Sequence, residues 1–284
     1  MLKEGIGRRA ARALALAAAV ALASHAARAE RMVFAEQPIE VTAPSGYCAL
    51  DRSKATEATI LDTFGKTQGD TNKIALIFVD CKALETSRQS GNYDLSRYGM
   101  ILVPTPNGTV PKYTAGTRSD YIDEMSKQFP DFDATRAVEQ AKARLNTAGV
   151  TVNGLQMLGV LAKDDTAIYL GVVAEGVVDP SDNRQHRVLG IVGLTLVNEI
   201  PVSVNIYRTD AGDDAVAAMI AEDKANVAAL IAANADLEAQ SARWRVMGID
   251  LGGVGAAALT GAAIGGAIGL VLYLIRKLRK SGTS

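Results

Sequence analysis

The sequence predicts an α+β fold, with a mainly antiparallel sheet, helices packed on it, and one C-terminal transmembrane helix. Three observations carry this. Residues 155–161 with 167–173, and 188–197 with 202–207, are β-rich runs flanking short polar turns, Lys163-Asp164-Asp165 and Asn198-Glu199; that is the signature of hairpins. Segments 53–64, 119–129, 133–145 and one opening at Asp213 place apolar residues at helical spacing. Residues Leu251–Ile275 run for twenty-five positions without a charge, enough to cross a bilayer with some tilt.

Residues 1–29 come first and are set aside. Lys3, Arg8, Arg9 and Arg12 precede an uncharged Ala/Leu-rich run from Ala13 to Ala23, and Ala27-Arg28-Ala29 ends it. Basic region, short apolar run and small-residue end form a secretory signal peptide. The apolar run is too short to span a bilayer. The predicted domain occupies residues 30–242. Residues 31–42 read as one or two edge strands interrupted by Pro38. Ser53 is placed to cap a helix running to Phe64 with Ala58, Ile60, Leu61 and Phe64 inward. Lys73–Asp80, KIALIFVD, is a continuous apolar run and reads as a buried central strand. Residues 82–98 read as polar and irregular, Met100–Val103 as a short strand, and Pro104–Gly116 as loop.

Helices follow at Ser119–Phe129 and Asp133–Leu145, broken by Pro130. In the last predicted strand Val202, Val204 and Ile206 face one way and Ser203, Asn205 and Tyr207 the other. That alternation predicts a sheet with one face covered and one partly wet. Asp213 and Asp214 open a long helix and complement its positive end. Val216, Ile220, Val227 and Ile231 form its expected buried stripe, with Glu222, Asp223, Lys224 and Asn226 polar.

The whole chain carries 30 basic and 31 acidic residues. Removing five basic and one acidic residue with the signal, and four basic with the tail, leaves 21 basic and 30 acidic over residues 30–275, a net charge of −9. An acidic domain repels phosphate backbones, so no nucleic-acid partner is expected. Both cysteines, Cys48 and Cys81, lie in the exported part; in an oxidising compartment a lone pair is most simply a disulfide.

The stretch LTLVNEIPVSVNIYRTD, residues 194–210, followed by the helix from Asp213, resembles the closing hairpin and helix of the PsbP-like fold. The resemblance is one of element order over residues 35–234, and 82–146 fit it least. It implies non-catalytic accessory roles in larger assemblies.

Catalytic constellations are not evident. One histidine, His186, remains after signal removal, so a site of several imidazoles is excluded. No G-x-S-x-G elbow presents a serine to it, and no G-x-x-x-x-G-K-S/T loop is present. Asp164-Asp165 and Asp213-Asp214 read as turn and helix-start chemistry. Asp179 and Asp182 lack the D-x-D-x-D-G pattern of a calcium loop. No catalytic, cofactor or metal residue is assigned.

In the predicted span, Gly253, Ala257, Gly261, Gly265 and Gly269 recur every four residues. A stripe with almost no side chain lets another helix approach closely, either a second copy or another membrane protein. Trp244 and Tyr273 suit the interfacial layers. Arg276, Lys277, Arg279 and Lys280 form a basic tail expected to stay cytoplasmic. Signal and tail agree on one topology: inner membrane, single pass, N-terminal domain in the periplasm, residues 243–275 juxtamembrane and transmembrane, 276–284 cytoplasmic. The expected function is a non-enzymatic accessory protein. The alternative is a periplasmic hydrolase or small-ligand receptor with its site in the 82–118 loops.

Overall fold

The computed structural model describes residues 30–131, 133–147, 152–179 and 184–239. The signal peptide, Trp244, the glycine stripe, Tyr273 and the basic tail lie outside the described residues. Among the described residues no helix is long and apolar enough to cross a membrane.

A two-stranded ribbon opens the domain: β1 (Glu30–Phe34) pairs antiparallel with β2 (Gln37–Val41). Ala35 and Glu36 between them both have positive φ (46° and 69°), the conformation of the tight turn whose twist matches the two strands. The main elements follow in order: β3 (Tyr47–Ala49), α1 (Ala55–Gln68), β4 (Asn72–Asp80), α2 (Cys81–Ser90), β5 (Arg97–Pro104), α3 (Arg118–Gln128), α4 (Ala134–Thr147), β6 (Gly154–Lys163), β7 (Ile168–Asp179), β8 (Arg184–Val197), β9 (Ile200–Thr209) and α5 (Ala215–Ala233). Strands β3 to β9 form one seven-stranded sheet ordered β3-β4-β5-β9-β8-β7-β6. Every pairing in it is antiparallel. Both hairpins appear where the turns predicted them; Asn198 and Glu199 take positive φ to close β8–β9.

The expectation of a partly wet face is overturned. Helix α5 and the β1–β2 ribbon cover one face through Phe34, Ile39, Met219, Val227 and Leu230. Helices α1 and α4 cover the other through Ile60, Phe64, Ala137, Ala141 and Leu145. Helix α3 covers the β7–β8 part of that second face through Tyr121, Ile122 and Met125. The chain between β5 and β6 supplies α3 and α4, which lie over the side chains expected to meet water.

Other differences are local. KIALIFVD is buried on both sides, as its unbroken hydrophobicity requires. It nevertheless lies next to the edge, beside the three-residue β3, not at the sheet centre. Ser53 does not cap α1: the N-cap is Lys54, and the Ser53 N–H donates to the Asp51 carboxylate at 2.9 Å. Residues 82–98 are not irregular. Most of the first half is α2, capped by Asp80, whose Oδ1 accepts from the Lys82 and Ala83 N–H groups, and ended by Gly91 at φ 73°. A capping aspartate and a left-handed glycine stabilise a helix whose polar sequence shows little apolar periodicity. The 82–118 segment is thus helix, strand β5 and a shorter loop.

Cys48 and Cys81 form the disulfide, with Cα atoms 4.8 Å apart. It pins β3 to the first residue of α2. The bond closes a separation of 33 residues, which restricts the unfolded chain by about 4 kcal/mol. The double variant Cys48→Ser, Cys81→Ser should lose about that much in urea unfolding. A midpoint equal to that of the oxidised parent would show that the bond constrains nothing.

Candidate functional site

Two seams of buried polar side chains flank the central strands. The first lies beneath α5. The helix buries Met219, Asp223, Asn226, Val227 and Leu230, so its inward stripe is rotated from the expected one and includes two of the helix's polar residues, Asp223 and Asn226. Val216, Ile220 and Ile231 are only partly buried. Asp223 is 0% exposed, and neither carboxylate oxygen has a hydrogen-bond partner. The sheet makes room for it at Gly193 of β8. A Cβ there would stand 2.6 Å from Asp223 Oδ2, 2.9 Å from Val227 Cγ2 and 3.2 Å from Tyr169 Cε1. Burial raises the Asp223 pKa well above the usual range, and the neighbouring Glu222 pushes the same way. The Gly193 amide opposes the shift without reaching hydrogen-bond geometry. Burial disfavours the charged form of a carboxyl so placed.

The cations on α5 and around Glu222 are committed elsewhere. Lys224 Nζ pairs with Asp164 at 2.9 Å and stands 5.3 Å from the Tyr169 ring centre. Arg97 binds Glu222 and Asp80 and donates through Nε to the Tyr47 hydroxyl, which donates to Glu222 at 2.7 Å. Arg208 takes the other Glu222 oxygen. Glu222 therefore ties α5 to β3, β5 and β9, while its neighbour Asp223 receives nothing.

The second seam lies on the opposite face, along β9. Ser203, Asn205 and Tyr207 point there, and all three are 0% exposed. Ser203 Oγ, both ends of the Asn205 amide and the Tyr207 hydroxyl have no hydrogen-bond partner. Their registered neighbours are Leu102, Met100 and Tyr98 on β5, and Leu194, Val192 and Gly190 on β8. The Tyr207 ring stacks on Tyr98 with centroids 5.0 Å apart. On the other side it lies over Gly190, where a Cβ would come within 2.5 Å of it. Burial raises the Tyr207 pKa, so the phenol stays protonated.

A third buried group, Glu57 of α1, is fully satisfied. It receives two hydrogen bonds from Arg88, at 2.7 and 2.9 Å, one from the Tyr93 hydroxyl and one from the Asp51 N–H. Its arrangement is structural, tying α1, α2 and two loops together.

Of the sequence-assigned site residues, the structure brings together Cys48 and Cys81. His186 belongs to β8, and its Nδ1 lies 2.8 Å from Asp210 Oδ2. Among the described residues no hydroxyl or thiol is bonded to its other nitrogen, so the pair presents no nucleophile. Among the described residues no three His, Cys, Asp or Glu side chains converge as metal ligands. Asp164 acts in its turn as expected, accepting from Thr166 and Ala167; Asp213 pairs with Arg187 rather than capping α5.

The seams were missed because Asp223, Asn226 and the β9 side chains look like ordinary surface positions. The available signal was the spacing Met219, Asp223, Asn226, Leu230, which is one helical face. No known protein family, curated protein or solved structure matches this chain.

Proposed function

We propose that this chain is a non-enzymatic accessory protein of a bacterial-type cell envelope, its α+β domain outside the inner membrane and its C-terminal span and glycine stripe inside it. It works by holding a partner protein, and the accessory roles of PsbP-like proteins belong to the same proposal. The observation that carries it is the free edge of β6. None of its ten residues is buried. Leu155, Met157, Leu158 and Leu161 are half-buried, and Val160 is exposed. Beyond β6 no further strand is paired among the described residues. An unpaired edge offers main-chain donors and acceptors to an extended segment of a partner, with side-chain contacts for specificity. Bulges at Met157/Gly159 and Val160/Ala162 interrupt the ladder, which keeps indiscriminate strand pairing down and favours a partner matched to that register.

Two further features support the reading. The Cys48–Cys81 bond suits an oxidising compartment. The end of α5, from which the chain continues toward the predicted span, is clamped. Asn234 accepts from the Glu40 N–H and donates to the Glu40 carbonyl, and Glu238 pairs with Arg118. A domain fixed at its exit point holds a partner at a defined place relative to the membrane.

Crosslinking of the tagged full-length chain in membranes, followed by mass spectrometry, tests this. The expected result is one reproducible partner whose yield falls several-fold in Val160→Lys and in Gly265→Leu. Recovery of the chain alone, or of its own dimer only, would overturn it.

A further inference from the structure

The position and chemistry of the β6 edge narrow what it holds, granted the accessory reading on which this rests. Its position follows from the registers. Lys163 at the end of β6 pairs with Ile168, Ile168 pairs with Leu194, and β8 turns back into β9 through Val197 and Ile200. The Asn198 N–H in that turn donates to Glu238 at 3.2 Å, and Glu238 lies one residue before the end of the described domain. The C-terminal end of β6 and the exit of the chain therefore share one end of the sheet. Residues 240–250 separate that exit from the predicted span at Leu251. Those residues reach about 16 Å as helix and about 36 Å fully extended. Strand β6, ten residues long, runs about 30 Å from the exit end. Its near end is thus tethered where the chain of another membrane protein leaves the bilayer.

The chemistry of the edge is apolar on both sides. Leu155 and Met157 pack against the cluster under α1 and α4, and Leu158, Leu161 and Ala162 against the cluster under α5. Both apolar layers run out to the edge and end there half-covered, with Val160 exposed. Gly154 to Ala162 carry no charge, and Lys163 is taken by Asp123 at 2.6 Å. A strand added here extends both layers, so it is apolar in both of its alternating sets, an unbroken run rather than a half-polar one. A charge within it would lose water and gain no counter-charge from β6.

We infer that β6 takes up an uncharged, unbroken apolar stretch of an integral membrane protein, lying just outside one of that protein's spans. In a freely soluble protein such a run is an aggregation hazard; beside a span it is kept at the membrane until paired. A second copy of this chain fits less well. Like edges pair antiparallel about a two-fold axis, and β6 on β6 would send the two chains out at opposite ends of the joined sheet, away from each other.

Photocrosslinking of the full-length chain in membranes tests this. A benzophenone side chain is placed in turn at Gln156, at Val160 and, as control, at Lys82 on α2 beside the opposite edge of the sheet. All three positions are exposed. The expected adducts come from 156 and 160 and not from 82, and map to one uncharged apolar stretch within about ten residues of a span, the reach of a strand as long as β6. Val160→Lys should lower the yield from position 156 several-fold, since an edge lysine opposes strand addition. An amine-reactive crosslinker on the parent chain reads the accessory role separately. If it recovers a partner while the β6 probes give no adduct, or give adducts on a protein without a span or on a charged surface, this assignment is overturned and the accessory reading stands. Adducts only on a second copy, or no partner with either reagent, overturn both.

Discussion

Replacing Glu57 by Ala is expected to cost about 3 kcal/mol of folding stability, with the urea midpoint as the readout. Glu57 is 0% exposed, yet four donors converge on it from Arg88, Tyr93 and the Asp51 backbone. Removing the carboxylate strands a guanidinium, a phenol and an amide together. The loss falls at the lower end for a broken buried ion pair, because the Arg88 side chain is 35% exposed and can regain water. Burial alone would raise the Glu57 pKa, but the Arg88, Asp51 and Tyr93 hydrogen bonds outweigh it and leave it lowered. A carboxylate with a depressed native pKa stabilises the fold above its unfolded value of about 4.3, and that stabilisation is lost as pH falls through the native value. The alanine variant should therefore differ most from the parent at neutral pH and converge with it in acid. Glu57→Gln keeps an acceptor and should lose about half as much. A Glu57→Ala midpoint within error of the parent would mean that α1 and α2 are held by their apolar contacts alone.

The Glu57 cluster also shows what a sequence can and cannot disclose. The helix carrying Glu57 was legible from its apolar spacing, and β8–β9 from its Asn-Glu turn, because both signals are local. The partner, Arg88, sits 31 positions away in a segment read as irregular. Nothing in a polar decapeptide announces a helix when its stability comes from an Asp80 cap, a disulfide at its first residue and a tertiary ion pair. The same reason hid both polar seams. Alternation along β9 correctly assigned Ser203, Asn205 and Tyr207 to one face. Whether that face is wet depends on where α3 and α4 pack, and that is decided by contacts far apart in sequence. Polar periodicity reports which residues share a face; it does not report what covers the face.

Asp223→Asn is expected to raise stability by about 2 kcal/mol at pH 7, against the usual direction for a substitution in a core. Asparagine keeps the shape that fits over Gly193 and cannot ionise, so it removes the cost of keeping a proton on, or a charge at, this buried carboxyl as pH rises. The groups facing it are Tyr169 on β7 and Gly193 on β8, with Glu222 and Lys224 beside it on α5. Glu222 repels a charge at 223, and Lys224 is occupied by Asp164. The native pKa is raised above the unfolded value of about 3.9. The fold is therefore favoured by the proton: the contribution is fully present below pH of about 4 and is lost as pH rises through the native value. The parent should lose stability as the solution is taken from pH 4 upward, while the asparagine variant holds a flatter profile. The gap between them should be small at pH 4 and widen with pH, followed by thermal unfolding in matched buffers. Hydrogen exchange should place the effect in α5, since that helix alone carries the group into the sheet. A parallel pair of profiles would show that Asp223 finds a hydrogen-bonding partner in solution. With Asp223 unpaired, α5 docks by its apolar stripe and the Glu222 network despite the carboxyl, and its attachment to the sheet weakens as the proton is withdrawn.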